Sequence, residues 1–259
     1  MKQLAKMKKR LIIIYNEGTI GTNNYLKGVL KDVENYQEFF TSLEGGAWLS
    51  EEIKIFHKPN ISQLYDHINK NVDCEYFMIV FCGHGGSLDE DTILELNNKD
   101  DLPLSTLCSW VSHTRNLIIC DCCRVAPTIE PITESQNIKT KIFSKDMSRT
   151  NIIKARMAYH KAIRLTDYTI STIGFAASLG EKAGESVKGG YYSYNLLKAA
   201  ALAVRNPNFV EDTITFLDCH YMAESAVEHL SRGRQHPDYY TTRDKNQLPF
   251  VVKVKEIVF

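Results

Sequence analysis

The chain has 259 residues, 44% of them hydrophobic, and its 31 Lys and Arg are balanced by 31 Asp and Glu. That length suits one large domain or two small ones, and a net charge of zero gives no electrostatic reason to expect nucleic acid as a partner. The basic start (Lys2, Lys6, Lys8, Lys9, Arg10) is followed by an apolar run of only Leu11–Tyr15, too short for a signal-peptide core or a membrane span, so no membrane partner is expected.

The elements alternate along the first half. Leu11–Asn16 reads as a buried strand and Gly18 to Asn24 as a loop. Tyr25–Phe40 carries Leu26, Val29, Leu30, Val33, Tyr36 and Phe40 at helical spacing. Glu52–His57 is a short strand, and Asn60 or Ser62 caps a helix running through Asn69. Tyr76–Cys82 is a continuous apolar strand, the pattern of an element covered on both faces. Asp91–Leu96 adds a strand or hairpin arm, Leu104–Val111 a helix, and Asn116–Cys120 a further buried strand. This order predicts an α/β domain: a three-layer sandwich with a central, mostly parallel sheet and helices on both faces.

Residues 126–166 are polar and basic, with Lys139, Lys141, Lys145, Arg149, Lys154, Arg156, Lys161 and Arg164, and Ile152–Ile163 within them has helical character. Tyr168–Phe175 then reads as a strand, Gly180–Gly190 as a glycine-rich loop, Tyr192–Val204 and Thr213–Leu230 as helices, and Phe250–Val254 as a late strand. The chain divides into a large section (1–125), a linker region (126–166) and a small section (167–259) of one domain.

Seven cysteines is an odd number, and five of them (Cys82, Cys108, Cys120, Cys122, Cys123) fall within 82–123. This is not an extracellular disulfide framework, so a reducing, cytoplasmic setting is expected. Two very apolar strands end in Phe81-Cys82-Gly83-His84-Gly85-Gly86 and in Cys120-Asp121-Cys122-Cys123-Arg124. In parallel sheets, sites form beyond the carboxyl ends of strands, so this pattern can bring a base and a nucleophile together. Without further context, a flexible loop with an exposed histidine and an ordinary buried thiol is the better explanation. Period-two alternation sets Cys120 and Cys122 on one face of the strand and Asp121 and Cys123 on the other.

Several blocks, in order, resemble the caspase-like clan, closest to the metacaspase and prokaryotic caspase-like branch of peptidase family C14. They are Leu26-Lys27-Gly28-Val29-Leu30-Lys31-Asp32-Val33, Phe81-Cys82-Gly83-His84-Gly85, Asp121-Cys122-Cys123, Ser178-Leu179-Gly180-Glu181, Gly189-Gly190-Tyr191-Tyr192-Ser193 with Leu196-Leu197, and Gln235-His236-Pro237. The resemblance spans about residues 10–254. It implies a cysteine endopeptidase with a dyad of Cys123 as nucleophile and His84 as general base and acid. The N–H groups of Gly85 and Cys123 are the candidate oxyanion donors. It also implies that Asp32 and Asp121 line the first substrate pocket and select Arg or Lys before the scissile bond of a protein or peptide substrate. Ser178, Glu181, Glu185 and Ser193 border the groove on the same grounds.

The sequence departs from that pattern after the nucleophile, where Arg124-Val125-Ala126 replaces a histidine, a small residue and glycine. The alternatives are a clan member with another pocket preference, and a catalytically silent interaction module. A pocket for basic residues makes Lys139, Lys141, Lys145, Arg149, Lys154 and Arg156 candidate self-cleavage sites, as in relatives that are trimmed there. No cofactor or structural metal is expected, because the cysteines lack paired metal-ligand spacing. Some relatives require calcium, and Asp89, Glu90 and Asp91 form an acidic cluster, so calcium activation stays open, as does an activating protein partner.

Overall fold

A computed structural model describes residues 7–125, 148–209 and 211–253. The first strand, β1 (Lys9–Asn16), leads through a loop into α1 (Val29–Thr41). The helix starts later than its apolar spacing suggests, because the backbone N–H groups of Lys27 and Gly28 are claimed by Glu185. Next come β2 (Ile53–His57) and α2 (Ile61–Asn69). Asn60 caps α2: its side chain accepts the Gln63 N–H, and Gln63 accepts the Asn60 N–H in return.

Strand β3 (Tyr76–Gly83) is buried along its whole length. A three-stranded antiparallel sheet follows, formed by β4 (Gly85–Leu88), β5 (Asp91–Glu95) and β6 (Asp101–Pro103), and α3 (Leu104–Val111) leads into β7 (Arg115–Asp121). After the next described stretch, α4 (Arg149–Leu165), come β8 (Ser171–Phe175), the short pair β9 (Glu185–Ser186) and β10 (Gly189–Gly190), and α5 (Tyr191–Arg205). The chain continues through β11 (Thr213–Thr215), α6 (Phe216–Ser231), β12 (Asp238–Thr241) and β13 (Pro249–Val252).

The main sheet has the order β12-β8-β7-β3-β1-β2. Five strands are parallel, and β12 closes one edge antiparallel to β8. Side-chain alternation divides the core. Leu11, Ile13, Met78, Val80, Leu117 and Ile119 face α1, α4, α5 and α6, while Ile12, Ile14, Phe77, Ile79, Phe81 and Ile118 face α2 and α3. This is the α/β three-layer sandwich expected from the sequence.

Two expectations need correction. Thr213–Thr215 is a strand paired with β13 rather than the first turn of a helix, and Thr215 caps α6. The late strand is β13, which pairs with β11, while β12 forms the edge of the main sheet. The later part of the linker is a core element, since Ala155, Tyr159 and Ile163 of α4 are buried in the main cluster.

Candidate active site

The strand order reverses at β1, which has β2 on one side and β3 on the other. Ligand crevices in open α/β sheets form beside such a reversal, beyond the carboxyl ends of the strands. There, Asn16 pairs with Gly83 and Cys82 with Asp121. Continued two residues, the second register sets His84 level with Cys123 on adjacent strand ends. Both line one pocket, together with Asp32, Asp121, Glu185 and the backbone of Ala183–Gly184. All four side chains singled out from the sequence for catalysis and substrate binding therefore meet here.

His84 is half-buried, and its Nε2 lies 2.5 Å from the Asn24 carbonyl oxygen. A carbonyl only accepts, so Nε2 carries the hydrogen and Nδ1 keeps its lone pair in the neutral ring. Cys123 touches Ala183: the Ala183 N–H reaches Sγ at 3.4 Å, and Sγ lies 3.7 Å from the Ala183 carbonyl. Burial pushes this thiol above its usual range, and the Ala183 N–H partly offsets that. Cys120 and Cys122 point to the opposite face and sit in the α2–α3 core, where burial raises their thiols too. Cys82 belongs to the core on the other side of the sheet, so these three thiols cannot share one ion. Among the described residues no three His, Cys, Asp or Glu side chains gather as metal ligands.

Gly85 is not a pocket-lining residue, but its backbone comes close to the nucleophile strand. A Cβ there would lie 2.8 Å from Cys122 Sγ. Two residues on, the Ser87 N–H points away from β5 and bonds the Val125 carbonyl at 3.2 Å. Alternation along β4 puts the Gly85 N–H on that same edge, facing the segment after β7.

Three buried carboxylates form the acidic part of the pocket, each held by backbone N–H groups from another segment. Asp32 accepts the Gly190 N–H at 2.8 and 3.0 Å, and Asp121 accepts the Ser193 N–H at 3.0 Å. Glu185 accepts from Lys27 and Gly28, both at 2.9 Å. The chain must be glycine where it passes between the two aspartates. A Cβ on Gly189 (φ +121°) would lie 2.0 Å from Asp32 Oδ1, and one on Gly190 would lie 2.3 Å from Asp121 Oδ2. Burial raises all three carboxyls above their ordinary range, and for Asp32 the charge of Asp121 adds to it. None of the three enters an ion pair among the described residues.

The remaining groove candidates brace the pocket from behind. Glu181 holds His236 through its ring and its backbone N–H, both at 2.7 Å, and Ser178 Oγ donates to the His236 carbonyl. Ser193 Oγ donates to the buried Tyr36 hydroxyl. Gln235 joins Ala176 to Gly184 with bonds of 2.8 and 2.9 Å. The acidic cluster is dispersed: Asp89 and Glu90 make a left-handed turn, and Asp91 is taken by Ser105 at the start of α3. Lys139, Lys141 and Lys145 lie outside the described residues. Arg149, Lys154 and Arg156 are not in an open loop but in α4, and Arg156 is locked to Glu52 at 2.7 and 2.8 Å.

Arg124 explains how the chain turns after Cys123 without glycine. Its N–H and carbonyl bond Glu181 and Gly180 at 2.9 and 2.8 Å. Its buried guanidinium stacks 3.9 Å from the Phe175 ring centre and donates to Thr92, Ala177 and Asp238. Arg124→Ala removes this clamp and is expected to cost about 3 kcal/mol, lowering the melting temperature by roughly 10 °C. Thermal denaturation followed by circular dichroism checks this, and an unchanged midpoint would deny Arg124 that role.

The model of the caspase domain, Peptidase C14, matches residues 8–248. No curated protein matches the chain. Among solved structures, caspase-1 from Spodoptera frugiperda superposes with a TM-score of 0.55 at 11% identity, covering 91% of this chain and 88% of that one. A protein from Geobacter sulfurreducens superposes at 0.53 and 15% identity, covering 95% and 100%. At such identities the superpositions speak for the fold alone. The family match, over nearly the whole chain and on a sheet whose carboxyl edge gathers His84 and Cys123, is decisive: the chain belongs to the caspase-domain family of C14 peptidases.

Proposed function

We propose that the protein is a cysteine endopeptidase that cuts peptide bonds after Arg or Lys. The observation that carries this reading is the shared pocket, in which His84 and Cys123 sit beside three buried carboxylates that make no ion pair among the described residues. A guanidinium or ammonium entering that slot supplies the missing charge through charge-assisted hydrogen bonds, whereas an acidic side chain would be repelled.

The reaction follows from the groups present. His84 Nδ1 takes the Cys123 thiol proton as Sγ attacks the scissile carbonyl carbon. The N–H groups of Gly85 and Cys123 stabilise the oxyanion. The C–N bond breaks as the imidazolium returns its proton to the leaving amine, giving a thioester. Water, deprotonated by His84, then attacks the thioester, releasing the new carboxylate and the thiol. The Asn24 carbonyl takes the place a third side chain would occupy: it orients the ring and fixes its tautomer.

Matched fluorogenic peptides ending in Arg, Lys or Asp, assayed with and without calcium, test the reading. Release after Arg or Lys but not Asp is expected. Release only after Asp would overturn the pocket assignment, and no release under any condition would favour a silent module. For self-processing, mass spectrometry of aged active protein is expected to find cuts after Lys139, Lys141 or Lys145 and none after Lys154 or Arg156, which lie within α4.

A further inference from the structure

We infer that Glu17 and Lys58 are positioning residues for His84, anchoring the loop whose Asn24 carbonyl holds the imidazole. The inference rests on the peptidase reading above. The loop from Gly18 to Asn24 is exposed apart from Gly18, and Ile20 at its tip is 76% exposed. Little apolar packing therefore fixes the position of the Asn24 carbonyl; hydrogen bonds inside the loop, from the Thr22 N–H to the Thr19 carbonyl at 3.1 Å and from the Thr19 N–H to Asn24 Oδ1 at 3.3 Å, hold its shape, and its base sets where that shape sits.

That base is an ionic knot. Lys58 Nζ donates to the Gly18 carbonyl at 2.6 Å and lies 3.2 Å from Glu17 Oε1. His57 Nε2 lies 3.0 Å from both Glu17 oxygens, and its ring stacks on Tyr15 at 4.6 Å. Glu17 is buried. Burial alone would raise its carboxyl, but the bonds from its own backbone, Lys58 and His57 bring it below its ordinary range, so it stays charged. Lys58 pays for its reach with a left-handed backbone (φ 47°), rarely adopted by a side chain of that size.

Gly18 passes this anchoring on to the catalytic contact. With φ +77°, its missing Cβ would lie 2.0 Å from the Asn24 carbonyl oxygen and 2.9 Å from His84 Nε2. The strand end, Gly18, the Asn24 carbonyl and the imidazole are thus in direct succession. If Gly18 shifts, the ring loses the acceptor that fixes its tautomer and orientation.

The test uses the full chain, with two independent readouts. Gly18→Ala is expected to lower kcat on an Arg peptide about 100-fold and Lys58→Met about 10-fold, with KM changed less than about twofold. Lys58→Arg, which keeps the charge and a donor, is expected to restore most of the rate. Nitrogen NMR of the His84 ring is expected to show the Nε2–H tautomer in the wild type and a mixture in Lys58→Met. A wild-type kcat with unchanged ring signals in Lys58→Met would overturn the inference. If the wild type cleaves no peptide, the peptidase reading fails separately, and the ring signals alone decide the positioning role. If Lys58→Met does not fold, Glu17→Gln is read in the same way.

Discussion

Cys123→Ala is expected to abolish peptide hydrolysis, by at least about 1,000-fold, while the protein still melts cooperatively. Cys123 lines the pocket, and its Sγ is bonded to the backbone of Ala183, so replacing it by Ala removes the nucleophile and only one side-chain atom of packing. Cys122→Ala should do the opposite. That thiol is core on the other face of the sheet, so its removal costs stability, roughly 1 kcal/mol, and leaves most activity. The pair of variants separates two adjacent cysteines that composition cannot. His84→Ala should fall to about the same residual rate as Cys123→Ala, and the double variant no lower, because the two groups act as one unit. Labelling by an Arg-directed electrophilic peptide, followed by mass spectrometry, checks the site: an adduct that persists in Cys123→Ala would move the nucleophile elsewhere. Because burial raises the Cys123 thiol, its alkylation by iodoacetamide in His84→Ala should climb at more alkaline pH than for an ordinary cysteine.

Asp121→Ala is expected to remove cleavage after Arg or Lys, by about 100-fold or more, with the fold intact. The more informative variant is Asp32→Asn. Its carboxamide oxygen can still accept the Gly190 N–H, but the negative charge is gone from beside Asp121. A carboxyl whose pKa is raised in the folded state binds its proton more tightly there than in the unfolded chain. Its effect on stability is therefore most favourable at acid pH and worsens as pH rises through the raised value. The variant lacks that decline. Its melting temperature should exceed that of the wild type by a gap that opens as pH rises. It should also lose most cleavage after Arg. Greater stability with lost activity is the signature of a cation pocket that holds unfavourable charge for its substrate. A less stable but fully active Asp32→Asn would sink that interpretation.

The parts of the protein legible in its sequence are those set by local pattern. Continuous apolar runs identify β1, β3 and β7, because strands covered on both faces leave no room for polar alternation. His84 and Cys123 are legible because they follow two such runs, and Asp32 and Asp121 through the blocks that surround them. The misread boundaries depend on distant partners. Residues 25–28 look helical but give two N–H groups to Glu185, which is remote in sequence. Thr213–Thr215 continues a helical pattern but pairs with β13. Strand β12 is short and carries exposed Tyr239 and Tyr240, so it has no apolar signature, and only its pairing with β8 makes it a strand.

The same division runs through the site. Which chemical groups stand at the strand ends can be read along the chain, because side-chain identity and period-two alternation are local properties. That Glu185 packs beside the two aspartates, that Arg124 makes a buried clamp after Cys123, and that the Asn24 carbonyl holds His84 emerge only in the folded chain. Each of these depends on groups brought together by long-range packing, and two of them on backbone atoms that every residue possesses. A carbonyl has no signature in an amino-acid sequence, and its position is set only once the sheet, the helices and the loop between them have come together.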